Sequence, residues 1–185
     1  MKVLANHPQF FPFAYRYPSL GGDFHTAVEF EYISPLQPDQ STCITFLAKT
    51  RGESTKEVVV KFFQRYSAEV HRVLTAADMA PHLLYYGQID PEIAFGMWKM
   101  VVMEYFNGKP LHDGDCHRDF DVSEKVFRAI TAVHLVGYVH GDVHPPNVLI
   151  GRENQVMLID FDWAGKEGNV RYPIPLCHAG DWQLN

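Results

Sequence analysis

The chain has 185 residues, enough for one domain or a pair of small lobes, and its 46% hydrophobic and 21% charged residues are the balance of a globular protein. A net charge of −6 gives no support to a general nucleic-acid or anionic-membrane binder, and three scattered cysteines, Cys43, Cys116 and Cys177, offer neither paired metal spacing nor a disulfide framework. His7, Pro8 and Pro12 break any apolar run at the start, and no run of about 18 apolar residues occurs, so neither a signal peptide nor a membrane span is expected and an intracellular, cytoplasmic setting is the default.

Residues 1–26 read as an N-terminal arm. Its Phe10, Phe11, Phe13, Tyr15 and Tyr17 are too many aromatics for full disorder. Strand patterns begin at Ala27, and 28–33 alternates with period two. Pro35 and Pro38 mark a turn over 34–41. A second strand is expected over 42–48, a polar turn over 49–56, and a third strand over Glu57–Phe63. Ser67 suits the N-cap of a helix running to Ala77, with Val70, Val73, Leu74 and Ala77 on one face and Pro81 beyond its end. Residues 82–89 and 98–104 read as two more strands around a turn at 90–96. A polar linker is expected over 109–120. Asp121 and Glu124 then open a second helix as a capping-box variant, with Val126, Phe127, Ile130, Val133 and His134 on one face and Gly137 as its stop.

The densest chemistry follows that helix. His140-Gly141-Asp142-Val143-His144-Pro145-Pro146-Asn147 leads into the apolar run 148–150. Gly151-Arg152-Glu153-Asn154 is a hairpin turn, and the run 155–159 returns to Asp160-Phe161-Asp162. A hairpin brings Asn147 and Asp160 within a residue or two of facing each other. Pro145 and Pro146 keep the segment carrying Asp142 out of helix. A carboxylate, an amide oxygen and a second carboxylate therefore converge at one end of the hairpin. Hard oxygen ligands of this kind suit Mg²⁺.

Both stretches resemble the protein-kinase-like superfamily, whose catalytic loop reads His-x-Asp-x-x-x-x-Asn and whose metal motif reads Asp-Phe-Gly. The resemblance implies an α+β fold. A kinase-like N-lobe, an antiparallel five-stranded sheet plus one helix, would occupy 27–108 with the hinge, and only the first part of a C-lobe would follow over 109–185. It also implies ATP and Mg²⁺ as nucleotide and metal, and a hydroxyl acceptor on a protein or a small molecule. Asp142 matches the catalytic aspartate, and Asn147 and Asp160 match the metal ligands. Lys61, closing Val58-Val59-Val60, matches the lysine that holds the α- and β-phosphates, with Glu69 as its helix partner. In the hinge, Met103 would be the gatekeeper, while the Glu104 carbonyl and the Phe106 backbone would meet adenine.

Several departures shape the expectation. The turn at 34–41 stands where the family has a glycine-rich phosphate loop, yet it contains no glycine. His144 stands where Ser/Thr protein kinases commonly carry a lysine, which is similar to the aminoglycoside and choline phosphotransferases. Asp160-Phe161-Asp162-Trp163-Ala164-Gly165 and Arg171-Tyr172-Pro173 resemble kinase-like proteins of mushroom-forming fungi most. The stretch after Asp162 is too short for the family's remaining helices, so a truncated C-lobe is expected, with apolar surface on the second helix open to a covering partner. The missing glycines and helices also admit a non-catalytic, kinase-like binding module. Two other readings are weaker. Gly141-Asp142-Val143-His144 has the Gly-Asp-x-His core of two-metal phosphoesterases but lacks their further motifs. A zinc site at His140 and His144 is disfavoured by the prolines that follow.

Overall fold

A computed structural model describes residues 14–19, 24–37, 44–111 and 120–171. The expectations for 1–13 and 20–23, for the end of the 34–41 turn with the start of the strand at 42–43, for 112–119 and for the tail from 172 lie outside the described residues. The chain divides into two compact units, Met1–Gln64 with Pro81–Asn107 and Arg65–Ala80 with Gly108–Asn185.

The first unit is built on one antiparallel sheet. Its strands are β1 (Arg16–Pro18), β2 (Ala27–Pro35), β3 (Thr45–Thr50), β4 (Glu57–Phe63), β5 (Leu83–Gly87) and β6 (Lys99–Glu104), and they lie side by side in the order β1-β2-β3-β4-β6-β5. Alternation decides which face is buried. In β2, Phe30 turns inward while Glu29 and Glu31 face solvent and meet Arg51. Phe30, Phe46, Val58, Val60, Phe62, Met100 and Val102 form the core under the sheet. Phe46 lies edge-on to both Tyr32 and Phe62, the geometry that the ring quadrupole favours. Burying a residue such as Phe46 contributes roughly 1.5–3 kcal/mol.

The five strands expected from the sequence are all present, and Arg16–Pro18 adds a sixth at the edge. Three residues are too few to show a period. What places them is burial, because Ala14 and Tyr17 enter the same core, and the Phe30 N–H donates to the Tyr15 carbonyl at 2.8 Å.

The second unit holds two helices and the hairpin. Helix α1 (Ala68–Ala76) starts where Ser67 Oγ accepts the Val70 N–H at 3.3 Å. Its C-terminus is closed by the Asp78 N–H on the Thr75 carbonyl and the Met79 N–H on the Leu74 carbonyl, around Asp78 at φ +56°. That is the left-handed C-terminal motif usually filled by glycine. The turn then receives the hairpin, since the Leu158 N–H donates to the Met79 carbonyl at 2.8 Å. Ala68, Val70, His71 and Leu74 are the buried residues of α1, whereas Val73 is only partly covered and Ala77 is exposed.

Helix α2 (Phe120–Leu135) buries Val122, Ala129 and Val133, with Val126 and Ile130 half-buried beside them. Of the other residues read onto the same face from the sequence, Phe127 is 70% exposed, which leaves apolar surface open on this helix, and His134 is exposed as well. The observed stripe runs at i, i+4, i+7 and i+11 from Val122. Gly137 at φ +76° ends it as expected.

Strand β7 (Lys109–Pro110) lies within the segment read as a linker. It pairs with β9 (Val148–Ile150), which pairs in turn with β10 (Val156–Leu158). Tyr138–Val139 forms β8 and pairs with β11, Gly165–Lys166. These two-residue pairings close the loops on either side of the hairpin. Among the described residues no helix is long and apolar enough to cross a membrane.

Candidate active site

The hairpin sets the register of the site. Val148 faces Leu158, and the Ile159 N–H donates to the Asn147 carbonyl at 3.0 Å. Asn147 and Asp160 are therefore offset by one residue at the mouth of the hairpin, as the sequence spacing predicts. The turn itself differs in detail. It is a tight 3-10 loop in which Glu153 (φ +55°) and Asn154 (φ +57°) both take left-handed backbone, and Gly151 closes it by donating to the Gln155 carbonyl.

Asp142 and Asn147 are joined directly. A single 3-10 turn over Pro145–Asn147 carries Asn147 back toward Asp142. Asn147 Nδ2 donates to Asp142 Oδ2 at 2.8 Å and to the Asp142 carbonyl at 3.0 Å. Those two acceptors fix which way the amide points. Asn147 is buried. His144 completes the group, with Nδ1 at 3.2 Å from Asp142 Oδ1.

Backbone strain marks the same place. Asp160 sits at φ +66°, a conformation that costs most side chains but that Asp and Asn tolerate. Gly141 sits at φ +81°, and a Cβ there would collide with the Trp163 carbonyl oxygen. The turn at Gly141 and the residues after Asp160 thus approach backbone to backbone, which only glycine permits.

Behind the polar group lies a buried aromatic stack. Phe161 and His71 stack at 4.6 Å and 19°, Tyr66 meets Phe161 edge-on at 5.7 Å, and His140 lies 5.1 Å from Phe161. Phe161, His71 and His140 are each at most 2% exposed. Tyr66 and His71 share a hydrogen bond of 2.6 Å. The Phe161 carbonyl accepts the Ser67 N–H, which anchors the start of α1 to the Asp160–Asp162 segment. Burial pushes the His140 imidazole below its ordinary value, against the opposing pull of the Asp142 and Asp160 carboxylates. The sequence reading missed this stack, because it joins residues about 70 to 90 positions apart that no local period connects. A polar, aromatic helix start, Tyr66-Ser67 with His71 one turn on, was the available signal.

The remaining predicted residues divide between the units. Lys61 belongs to the first unit. It lies in β4 opposite Thr45 and Val101 and is 7% exposed, so it is not a solvent-facing strand lysine. A lysine is buried this fully only when its charge is compensated. Met103 is buried in β6, while Phe106 is half-buried. The Glu104 side chain reaches Lys56 at 3.5 Å, and its N–H is taken by the His82 carbonyl. The Phe106 N–H makes no backbone hydrogen bond among the described residues. Glu69 lies in the second unit, in the first turn of α1; it is exposed and accepts from Ser67 Oγ at 3.5 Å.

Among the described residues no group of three or more His, Cys, Asp or Glu clusters to hold a metal. The residue types at the hairpin mouth are of the kind that suits Mg²⁺ in another mode, one carboxylate and one neutral oxygen with phosphates and water to complete the shell, and Asp160 and Asn147 could supply them.

Residues 91–170 match the ABC1 atypical kinase-like domain, a stretch that contains both motifs. The chain is 27% identical over 131 residues to the 2-5A-dependent ribonuclease of Mus musculus, covering 63% of this chain and 18% of that protein. It is 36% identical over 76 residues to the serine/threonine-protein kinase PknA of Mycobacterium tuberculosis, covering 37% of this chain and 18% of PknA. It is also 47% identical over 51 residues to the human Citron Rho-interacting kinase, 25% of this chain and 2% of that protein. The matched regions are thus a small part of each of these relatives.

Proposed function

We propose, for a chain that belongs to the protein-kinase-like superfamily, ATP- and Mg²⁺-dependent transfer of the γ-phosphoryl group to a hydroxyl of a protein or small molecule. The observation that carries this reading is the hairpin mouth, where Asp142, Asn147 and Asp160 stand in the family's order with Asn147 bonded to Asp142. Affinity with the fungal kinase-like group, which rests on Asp160–Gly165, is part of the same proposal, as is a partner for the exposed side of α2.

In this reading Asp142 orients the acceptor hydroxyl and accepts its proton as the phosphoryl group moves. Its carboxylate already accepts from Asn147 Nδ2 at 2.8 Å, which limits how far it must reorganise during the reaction. Asn147 Oδ1 and Asp160 would hold Mg²⁺, which when bound neutralises charge on the phosphate oxygens. Lys61 would offset charge on the α- and β-phosphates, with Glu69 as its partner. Met103, the Glu104 carbonyl and the Phe106 N–H would receive the adenine. The protein does little covalent chemistry here, and positioning and charge carry the rate.

The test is a pair of substitutions with nucleotide binding and phosphoryl transfer both measured. Asp160→Ala is expected to weaken Mg-ATP binding. Asp142→Ala is expected to lower turnover while leaving that binding nearly intact, since it removes no phosphate contact. If neither change alters binding or transfer, the assignment fails.

A further inference from the structure

We propose that His144 is a positioning residue that holds the Asp142 carboxylate through a proton fixed on Nδ1; this rests on the phosphotransfer reading for its kinetic part only.

Hydrogen bookkeeping assigns the proton. His144 Nδ1 has three polar neighbours: Asp142 Oδ1 at 3.2 Å, the Asp142 carbonyl at 3.3 Å and Asn147 Nδ2 at 3.3 Å. An amide nitrogen carries two hydrogens. Both are already placed on Asp142, one on Oδ2 at 2.8 Å and one on the carbonyl at 3.0 Å. Asn147 thus has none left for His144. The other two neighbours are pure acceptors, so Nδ1 must donate. The neutral ring then carries its proton on Nδ1 and leaves Nε2 as the bare nitrogen, the reverse of the arrangement at His140, whose Nδ1 accepts the Asp142 N–H at 3.4 Å.

The consequence is a carboxylate held at both oxygens, Oδ2 by Asn147 and Oδ1 by His144. Neither contact alone fixes the carboxylate plane, because each oxygen can swing about the other. Together they do, and the extended backbone at His144 (φ −148°, ψ 163°) with Pro145 behind it holds the imidazole in place. Asp142 and His144 are 28% and 36% exposed at the side chain, so the clamp borders solvent and leaves the carboxylate open to an acceptor. The same carboxylate in Ser/Thr kinases has a flexible lysine two residues on; here the donor is a planar ring on a short stem.

Two measurements test this on the purified chain. The first is a long-range ¹H–¹⁵N spectrum of the imidazoles near neutral pH, with the His144 signals identified by their loss in His144→Asn. A protonated Nδ1 and bare Nε2, reverting in Asp142→Ala, supports the clamp; a protonated Nε2 in the parent overturns it. The second compares turnover. His144→Leu is expected to lower kcat roughly 10- to 100-fold with little change in KM for Mg-ATP. His144→Asn, whose amide nitrogen occupies the Nδ1 position, should recover most of the loss, and His144→Gln, which extends its donor to the Nε2 position, should not. Full activity in His144→Leu, or equal rescue by Gln and Asn, overturns the positioning role. A parent chain that transfers no phosphoryl group would refute the functional reading, while the imidazole spectrum would still decide the contact.

Discussion

Asn147 donates through one amide nitrogen to both the carboxylate and the backbone carbonyl of Asp142. The residue proposed to hold the metal therefore also fixes the residue proposed to take the proton. Replacing it tests both roles at once. Asn147→Asp keeps an oxygen for Mg²⁺ but sets a carboxylate against Asp142 in place of a donor. Turnover is expected to fall roughly 10- to 100-fold, because a charge-assisted hydrogen bond becomes a like-charge contact. Steady-state phosphoryl-transfer rates at saturating Mg-ATP would measure it, and a variant as active as the parent would break the link between the two residues.

Gly141 is under two constraints, a left-handed φ and the Trp163 carbonyl oxygen in the space of a Cβ. Gly141→Ala must meet both. The backbone cost alone is about 1–2 kcal/mol, and the backbone contact cannot be relieved by rotating a side chain. A loss of at least about 2 kcal/mol is expected in denaturant unfolding, whereas alanine at Gly137, also at positive φ but in open space, should cost less.

His140 gives a pH dependence with a definite sign. Burial lowers its folded value below the ordinary 6.5, so between the two values the unfolded chain binds the proton that the folded chain does not. Stability from this group is therefore complete above the unfolded value and declines as the pH falls through the window beneath it. The slope is at most about 1.4 kcal/mol per pH unit for one proton. Urea midpoints measured from pH 7 to pH 5 should fall, and the fall should be shallower in His140→Leu.

Phe161 joins the Asp160–Asp162 segment to the start of α1 through its carbonyl and to His71, Tyr66 and His140 through its ring. Phe161→Ala would leave a cavity among Tyr66, His71 and His140 and is expected to cost about 3–5 kcal/mol. Chemical denaturation would measure it. A loss under about 1 kcal/mol would mean that the stack contributes little to the fold.

What could be read in the sequence was local. Alternation in 28–33, the Val58-Val59-Val60 run and the Ser67 cap fixed the strands and α1, because each signal lies within one element. The hairpin was legible because its two apolar runs flank a short polar turn, and its register then placed Asn147 beside Ile159. Pairings between distant short segments were not legible. Arg16–Pro18, Lys109–Pro110 and the pairing of Tyr138–Val139 with Gly165–Lys166 are two or three residues long and carry no period. The apolar face read onto α2 is split in the fold, with Val133 buried, Val126 and Ile130 half-buried and Phe127 exposed, because a period alone does not say how much of a stripe its neighbours cover. At the site, the spacing of Asp142, Asn147 and Asp160 was visible, but the single 3-10 turn that bonds Asn147 to Asp142 is too short to carry a period, and the stack behind Phe161 depends on tertiary contacts.

The most direct test of the account is a calorimetric titration of the chain and of Asp160→Asn with ATP, with and without Mg²⁺. Asparagine tolerates the left-handed backbone at that position, so the substitution removes the charge while keeping the loop. The account predicts Mg²⁺-dependent binding by the parent and binding weakened at least about 10-fold in Asp160→Asn, equivalent to about 1.4 kcal/mol. A parent that binds no nucleotide with Mg²⁺ present would contradict it, and so would equal affinity in the two proteins.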